Sequence, residues 1–294
     1  MIVLAMLGVR RAVITAAGLG TRLLPVTKEI PKEMLPLFTR GVKGEILLKP
    51  LMQVVFEQLY SVGIREFFIV VGRGKRAIED HFTPDPGFLQ VLRERGKQGY
   101  LEELERFYQM IRESSLVFLN QPEPRGFGDA VLRARGLVRE TFIVHAGDTY
   151  IASDRSLHLK RLLDIHRESR ASATLLVMEV EDPRAYGVVG GRAVGDDLWV
   201  VERLEEKPER PWSRLAILPV YVFEPSIFEA LEETPPGKGG EVQLTDGVAK
   251  LLERGGRVMA VKLPDETPRL DIGNPEGIWE ALRVSYGLAS GSGF

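Results

Sequence analysis

The apolar run Ala12-Val13-Ile14 leads straight into "AAGLGTRLLPVTKEIPKEMLPL", Ala16 to Leu37. Two glycines, an arginine, two lysines and three prolines follow a strand-like run without a pause. Prolines 25, 31 and 36 forbid one long helix and any central strand there. The strand must therefore end in a long, cationic loop. In an open α/β sheet, such loops at strand carboxyl ends are where ligands bind.

The rest of the chain has that alternating rhythm. Arg11–Ala16, "EFFIVVG" at 66–72, "SLVFLN" at 115–120, "TFIVHAGD" at 141–148 and "SATLLVMEV" at 172–180 read as strands. Helical spacing covers 48–62, 76–82, two pieces within 88–112 split by "GKQG", a start near Gly128, and 158–169. Pro50 falls in the first turn of the 48–62 segment, where proline is tolerated. "TPDPG" breaks the chain before Phe88. From Tyr186 short strands crowd together: "YGVVG", "LWVVERLEEK" and "LAILPVYVF". Two helices, a strand and "RLDIGNPEGIWEALRVSYG", a strand stub capped into a final helix, complete the chain. The expected fold is α/β, with a mostly parallel mixed sheet and antiparallel strands inserted over about 185–223. With no repeat or low-complexity linker, 1–294 is expected to be one domain, with an N-terminal extension at 1–10 and a helical insertion at 88–113.

Composition narrows the function. Net charge is −2 over 294 residues, so a general nucleic-acid surface is not expected and any anion site is local. The absence of cysteine rules out disulfides and thiolate metal sites and suits a reducing cytoplasm. No apolar run reaches the length of a membrane span. "MIVLAMLGVRR" has its charge after the apolar run and lacks a cleavage site, so it does not read as a signal peptide.

Gly18 and Gly20 let a ligand approach the backbone, whose free N–H groups can hold phosphate oxygens. Arg22, Lys28 and Lys32 add charge. Together they suit a polyphosphate. A dinucleotide fingerprint fails because its third glycine position is Leu23. "GRGK" at 72–75 fails as a phosphate loop because the earlier glycine position is Ile69. An acid closing a strand, such as Asp148, suits Mg²⁺, which takes oxygen ligands and keeps waters.

The loop's Gly-x-Gly-Thr-Arg, with Pro-Lys-Glu-Met-Leu-Pro after it, resembles the signature of sugar-1-phosphate nucleotidyltransferases, and most of all their uridylyl branch. "GKRAIEDHF", "YGVV", "EEKPE", "GEVQLTD" and "DIGNPEG" extend the resemblance in order along nearly the whole chain. The helical segment 88–112 resembles an insertion of that branch.

The resemblance implies a Rossmann-like nucleotidyltransferase core that makes UDP-glucose and pyrophosphate from UTP and glucose 1-phosphate. Ala17, Gly18, Leu19, Gly20, Thr21, Arg22, Lys32 and Glu33 would bind the nucleotide, and Gln121 and Gly126 would read the base. Gly187, Glu206 and Lys207 would bind the sugar phosphate. Arg22, Lys32, Asp148 and Lys207 would carry catalysis. Mg²⁺ would sit on Asp148, with Asp271 as a second ligand. No nucleic acid or membrane is involved, and the resemblance implies a homo-oligomer, dimer or tetramer. Where the uridylyl branch has "LPD" this chain has "AGD" at 146–148, whose "GD" occurs in thymidylyl and other relatives, and uracil and thymine share an imide edge, so dTTP is the alternative nucleotide. A catalytically silent nucleotide-sugar-binding subunit is the alternative outside enzymes. His81, His158 and His166 show no ligand spacing and are expected at the surface.

Overall fold

A computed structural model describes residues 8–292, so residues 1–7 of the expected N-terminal extension lie outside the described residues. Strand β1 (Arg11–Ala16) is buried on both faces, which is why it reads as an unbroken apolar run. Its side chains alternate between two cores. Ala12, Ile14 and Ala16 point into one, Val13 and Ala17 into the other.

The hairpin β2 (Pro36–Arg40) and β3 (Ile46–Pro50) precedes α1 (Leu51–Ser61). The helix expected from Leu48 thus starts three residues later. Pro50 is extended at φ −55°, ψ 141°, and Leu48 pairs with Phe38 across the hairpin. Its apolar spacing with Leu51 and Met52 is coincidental, since Leu48 faces outward. Next come β4 (Glu66–Val71), α2 (Arg76–His81), α3 (Pro86–Glu94), α4 (Gln98–Arg112) and β5 (Ser115–Asn120). "TPDPG" not only breaks the chain but begins α3. Asp85 accepts a hydrogen bond from the Phe88 N–H at 3.0 Å, with Pro86 in the first turn.

Helix α5 (Phe127–Leu132), β6 (Phe142–Ala146), a short β7 (Thr149–Ile151) and α6 (Leu157–Ser169) lead to β8 (Ala173–Glu179). Three long strands follow: β9 (Gly187–Ala193), β10 (Leu198–Glu206) and β11 (Leu215–Phe223). Helices α7 (Ser226–Glu232) and α8 (Leu244–Glu253), β12 (Val258–Lys262), β13 (Arg269–Asp271) and α9 (Pro275–Ser290) complete the described chain.

Among the described residues the main sheet runs β5-β4-β1-β6-β11-β8-β12-β10-β9. Strands β5, β4, β1 and β6 are mutually parallel, as are β8 and β12. Strand β11 lies antiparallel between β6 and β8, and β10 and β9 form an antiparallel ribbon beyond β12. The chain is therefore a Rossmann-like α/β fold with a mixed sheet. Helices α1, α4 and α6 cover one face, where Phe56, Phe67 and Phe107 are buried; α5, α7 and α8 cover the other, around Phe142, Phe223 and Phe228. Truncating any of these rings to alanine costs about 3–5 kcal/mol.

The histidines correct the expectation of surface positions. His158 and His166 are 5% and 4% exposed. His158 Nδ1 bonds Ser153 Oγ, and His166 Nδ1 bonds Thr174 Oγ1 at 2.9 Å. His81 stacks on Phe107 with centroids 5.1 Å apart. His158 and His81 each have one bonded nitrogen and otherwise pack as apolar bodies, whereas both His166 nitrogens are partnered, Nε2 with Glu224 at 3.2 Å.

Candidate active site

The loop after β1 leaves the sheet between two neighbours that hold it closely. The Gly147 N–H donates to the Thr15 carbonyl at 2.9 Å, and a Cβ on Gly72 would lie 3.1 Å from the Ala17 carbonyl. Gly20 turns through φ 65°, and the Thr27 hydroxyl donates to its carbonyl at 2.8 Å, fixing the loop. Short 3₁₀ turns at Thr21–Leu23, Val26–Lys28 and Lys32–Met34 replace the helix that the prolines forbid.

The loop forms one wall of a cleft of about 760 Å³. The cleft brings together every residue expected to act: Ala17 to Arg22, Lys32, Glu33, Gln121, Gly126, Asp148, Gly187, Glu206, Lys207 and Asp271 all line it. Lys28 does not. It pairs with Glu29 on the exposed surface at 3.3 Å, because the Val26–Lys28 turn aims it outward.

At the cleft floor the Lys32 ammonium contacts Asp148 Oδ2 in a pair that is mostly buried. Burial works against both charges. The mutual attraction and hydrogen bond outweigh it, holding Lys32 above its ordinary pKa and Asp148 below the usual carboxylate range. Asp148 lies in the connection between β6 and β7, not on β6 itself. Strand β7 was not legible in the sequence; it pairs antiparallel with β13, setting Asp271 opposite Thr149. The Ile272 N–H donates to the Asp148 carbonyl at 3.3 Å, so the two acids stand on adjoining backbone. Asp271 Oδ1 accepts from the Gly273 N–H at 2.9 Å, and its other oxygen meets Arg269. Both carboxylates line the cleft and are hard oxygen donors of the kind that hold a divalent cation together with substrate phosphates.

The β9–β10 ribbon supplies further lining, Gly187, Glu206 and the Lys207 that follows it. Lys207 follows β10 in a left-handed conformation, φ 44°, with its N–H on the Tyr186 carbonyl at 2.9 Å. Lys238 Nζ donates to the Lys207 carbonyl at 2.8 Å. The Lys207 ammonium lies 3.0 Å from Glu206 Oε1, while Glu206 Oε2 accepts from Thr245 Oγ1 at 2.6 Å. A Cβ on Gly187 would fall 2.6 Å from that Thr245 oxygen, so the contact requires glycine.

Glu33 sits deeper than expected of a ligand contact. It is 1% exposed, and its Oε2 accepts from Lys75 Nζ at 2.8 Å. Burial raises its pKa, with Lys75 partly offsetting the effect. Its observed contact is a strut beneath the loop. Thr245, Arg269, Tyr186 and Lys75 carry no mark of the site in the sequence. Thr245 lies in "GEVQLTD", which shares in the resemblance without indicating a role for it, and Lys75 lies in "GRGK", which does not form a phosphate loop.

Residues 11–285 match the family model described as nucleotidyl transferase. The chain belongs to the nucleotidyl transferase family. Among relatives of this family, a UTP–glucose-1-phosphate uridylyltransferase of Pseudomonas aeruginosa is 37% identical over 284 residues, covering 95% of this chain and 96% of its own. The Bacillus subtilis enzyme of the same name is 39% identical over 274 residues, covering 92% and 88%. A solved UDP-glucose pyrophosphorylase in complex with UDP-glucose superimposes with a TM-score of 0.80 at 30% identity, covering 95% of this chain and 99% of its own. No described helix is long and apolar enough to cross a membrane.

Proposed function

We propose that this nucleotidyltransferase transfers a uridylyl group from UTP to glucose 1-phosphate. A phosphate oxygen of the sugar phosphate attacks the α-phosphorus of UTP. The bond from that phosphorus to the β-phosphate bridge breaks, and pyrophosphate leaves with the electron pair. The products are UDP-glucose and pyrophosphate. The nucleophile is already an anion, so no general base is needed. The task of the protein is to align two polyanions and offset their repulsion.

The observation that supports this reading is that one cleft is lined by both the Gly18–Arg22 loop and the Glu206–Lys207 pair. The loop N–H groups, with Arg22 and Lys32, are suited to the triphosphate and departing pyrophosphate. Lys207 is suited to the attacking phosphate, and Glu206 and the Gly187 backbone to the sugar hydroxyls. A divalent cation, Mg²⁺ in our reading, would sit on Asp148 with Asp271 beside it and offset nucleotide charge. Lys32 and Lys207 each rest on an acid, Asp148 and Glu206, which fixes where their ammonium groups stand in the cleft. We also propose a homo-oligomer in the cytoplasm, on the strength of the resemblance and the lack of cysteine.

The test is pyrophosphate release with UTP, dTTP, CTP and ATP against glucose, galactose and mannose 1-phosphates. UTP with glucose 1-phosphate is expected to give the highest kcat/KM. Preference for dTTP would move the chain to the thymidylyl reaction. Nucleotide binding without pyrophosphate release would make it a silent subunit.

A further inference from the structure

Gln121 follows β5, its N–H on the Val71 carbonyl at 2.8 Å, and its side chain is almost wholly buried at the edge of the cleft. An amide side chain can offer a base either a donor or an acceptor, and the choice decides which base it accepts. Here that choice is made by another residue. Gln121 Nε2 donates to Asp129 Oδ2 at 2.7 Å and to the Gly126 carbonyl at 3.2 Å. An amide nitrogen has two hydrogens, and both are spent. Asp129 is 5% exposed, and its second oxygen is fixed by Arg133 at 2.5 Å. A carboxylate can only accept. Turning the Gln121 amide over would set Oε1 against two acceptors, Asp129 and the Gly126 carbonyl, so the nitrogen is held inward. What remains for a ligand is Oε1, which no donor meets among the described residues.

We propose that Asp129 is a specificity-determining positioning residue, which orients Gln121 so that the base meets a lone acceptor. This rests on the reading that the nucleotide base binds at Gln121. A base with an imide N–H, uracil or thymine, donates to Oε1. Cytosine has a lone pair at the corresponding ring nitrogen and is repelled by the same oxygen. Gly126 restricts the turn that brings its carbonyl to the amide: its φ is 109°, and a Cβ there would lie 2.6 Å from the Val242 carbonyl. Asp129 therefore acts through Gln121 and never touches the substrate.

The experiment measures kcat/KM for UTP, CTP and dTTP, KM for glucose 1-phosphate, and Tm, in the parent and in Gln121→Ala, Asp129→Asn and Asp129→Ala. Asp129→Asn replaces one acceptor oxygen by a donor, so the Gln121 amide is no longer held one way round. The UTP:CTP preference is expected to fall at least fivefold, while the UTP:dTTP ratio and KM for glucose 1-phosphate change less than twofold. Asp129→Ala, which removes the acceptor and adds no donor, gives the same direction at smaller size and stands in if Asp129→Asn does not fold. General loosening of the site would lower UTP and CTP alike and leave their ratio intact. If Gln121→Ala collapses the UTP:CTP ratio while both Asp129 variants keep it, the orienting role is overturned and base reading by Gln121 stands. If Gln121→Ala itself keeps the ratio, the base is read elsewhere, and the role given to Asp129 falls with that reading.

Discussion

Lys207 offers a perturbation whose effects on stability and on catalysis separate. Its ammonium is part-exposed and pairs with Glu206, an arrangement that contributes roughly 0–1 kcal/mol to stability. Lys207→Ala should therefore change Tm little. Its backbone, at φ 44°, lies in the region that costs a non-glycine residue about 1–2 kcal/mol. Alanine keeps that cost, and glycine removes it. Lys207→Gly should thus be at least as stable as Lys207→Ala, by up to roughly 3 °C in Tm. Both lose the same charge. A charge-assisted hydrogen bond is worth about 1.5–3 kcal/mol, so kcat/KM for glucose 1-phosphate should fall roughly 10- to 150-fold in both. UTP binding, read by calorimetry, should be nearly unchanged, because the triphosphate is assigned to the Gly18–Arg22 loop rather than to Lys207. Lys207→Arg should recover only part of the loss, since a planar fork does not replace a compact ammonium. If Lys207→Gly regains activity over Lys207→Ala, backbone conformation rather than charge governs the site. If Lys207→Ala loses UTP affinity and keeps its sugar-phosphate KM, the loop and Lys207 have been assigned the wrong way round.

Three further outcomes are expected. Asp148→Asn should lower Mg²⁺-dependent turnover by at least about 100-fold, the scale of losing one preorganised charge stabiliser, with a native circular dichroism spectrum; near-parental turnover would remove the metal assignment. Gly187→Ala forces a methyl to within 2.6 Å of Thr245 Oγ1 and 2.9 Å of Glu206 Oε2, so KM for glucose 1-phosphate should rise while UTP affinity holds, and a rise for UTP alone would contradict the geometry. His145 and His158 are buried and neutral, and burial pushes their pKa values down to about 4 and about 3. Their depressed values mean that the unfolded state takes up protons first, so stability is present above about pH 6.5 and is lost as pH falls towards the folded values. Each should cost about 2 kcal/mol between pH 7.5 and 5, and a flat Tm across that range would show that they are not buried as neutral rings.

Legibility in the sequence followed burial. Strands β1, β4 and β6 are covered on both faces, so their apolar runs stand out, and helices α3 and α4 reveal themselves by one-sided spacing. The β2–β3 hairpin lies beside α9 as a separate two-stranded sheet, with Phe38 against Tyr286 at 5.2 Å. Residues Ile46 and Leu48 of β3 are exposed, so no inward alternation marks the strand, and its leucine was absorbed into the helix that follows. Strand β7 is three residues long and exists because β13 pairs with it from a place more than a hundred residues away. No local pattern encodes such a strand.

The site divides in the same way. Many residues that line the cleft sit on loops or at strand ends, and a cationic glycine loop or a lone acid at a strand end is conspicuous because packing does not explain it. Residues that position those groups look ordinary. Asp129 and Arg133 are an i, i+4 pair running from the first turn of α5 to its C-cap, an ordinary helix-surface arrangement in a sequence. Lys75 looks like a loop lysine. Only the fold shows that Asp129 and Lys75 are buried and that each is bonded to a cleft residue, Gln121 just before its helix and Glu33 far along the chain. Breaking a buried pair such as Lys75–Glu33 costs about 3–5 kcal/mol because an uncompensated charge is left behind. An exposed pair of the same composition would cost almost nothing. Composition is identical in the two cases, so the difference lies wholly in solvent access, a property of the assembled sheet rather than of any stretch of sequence.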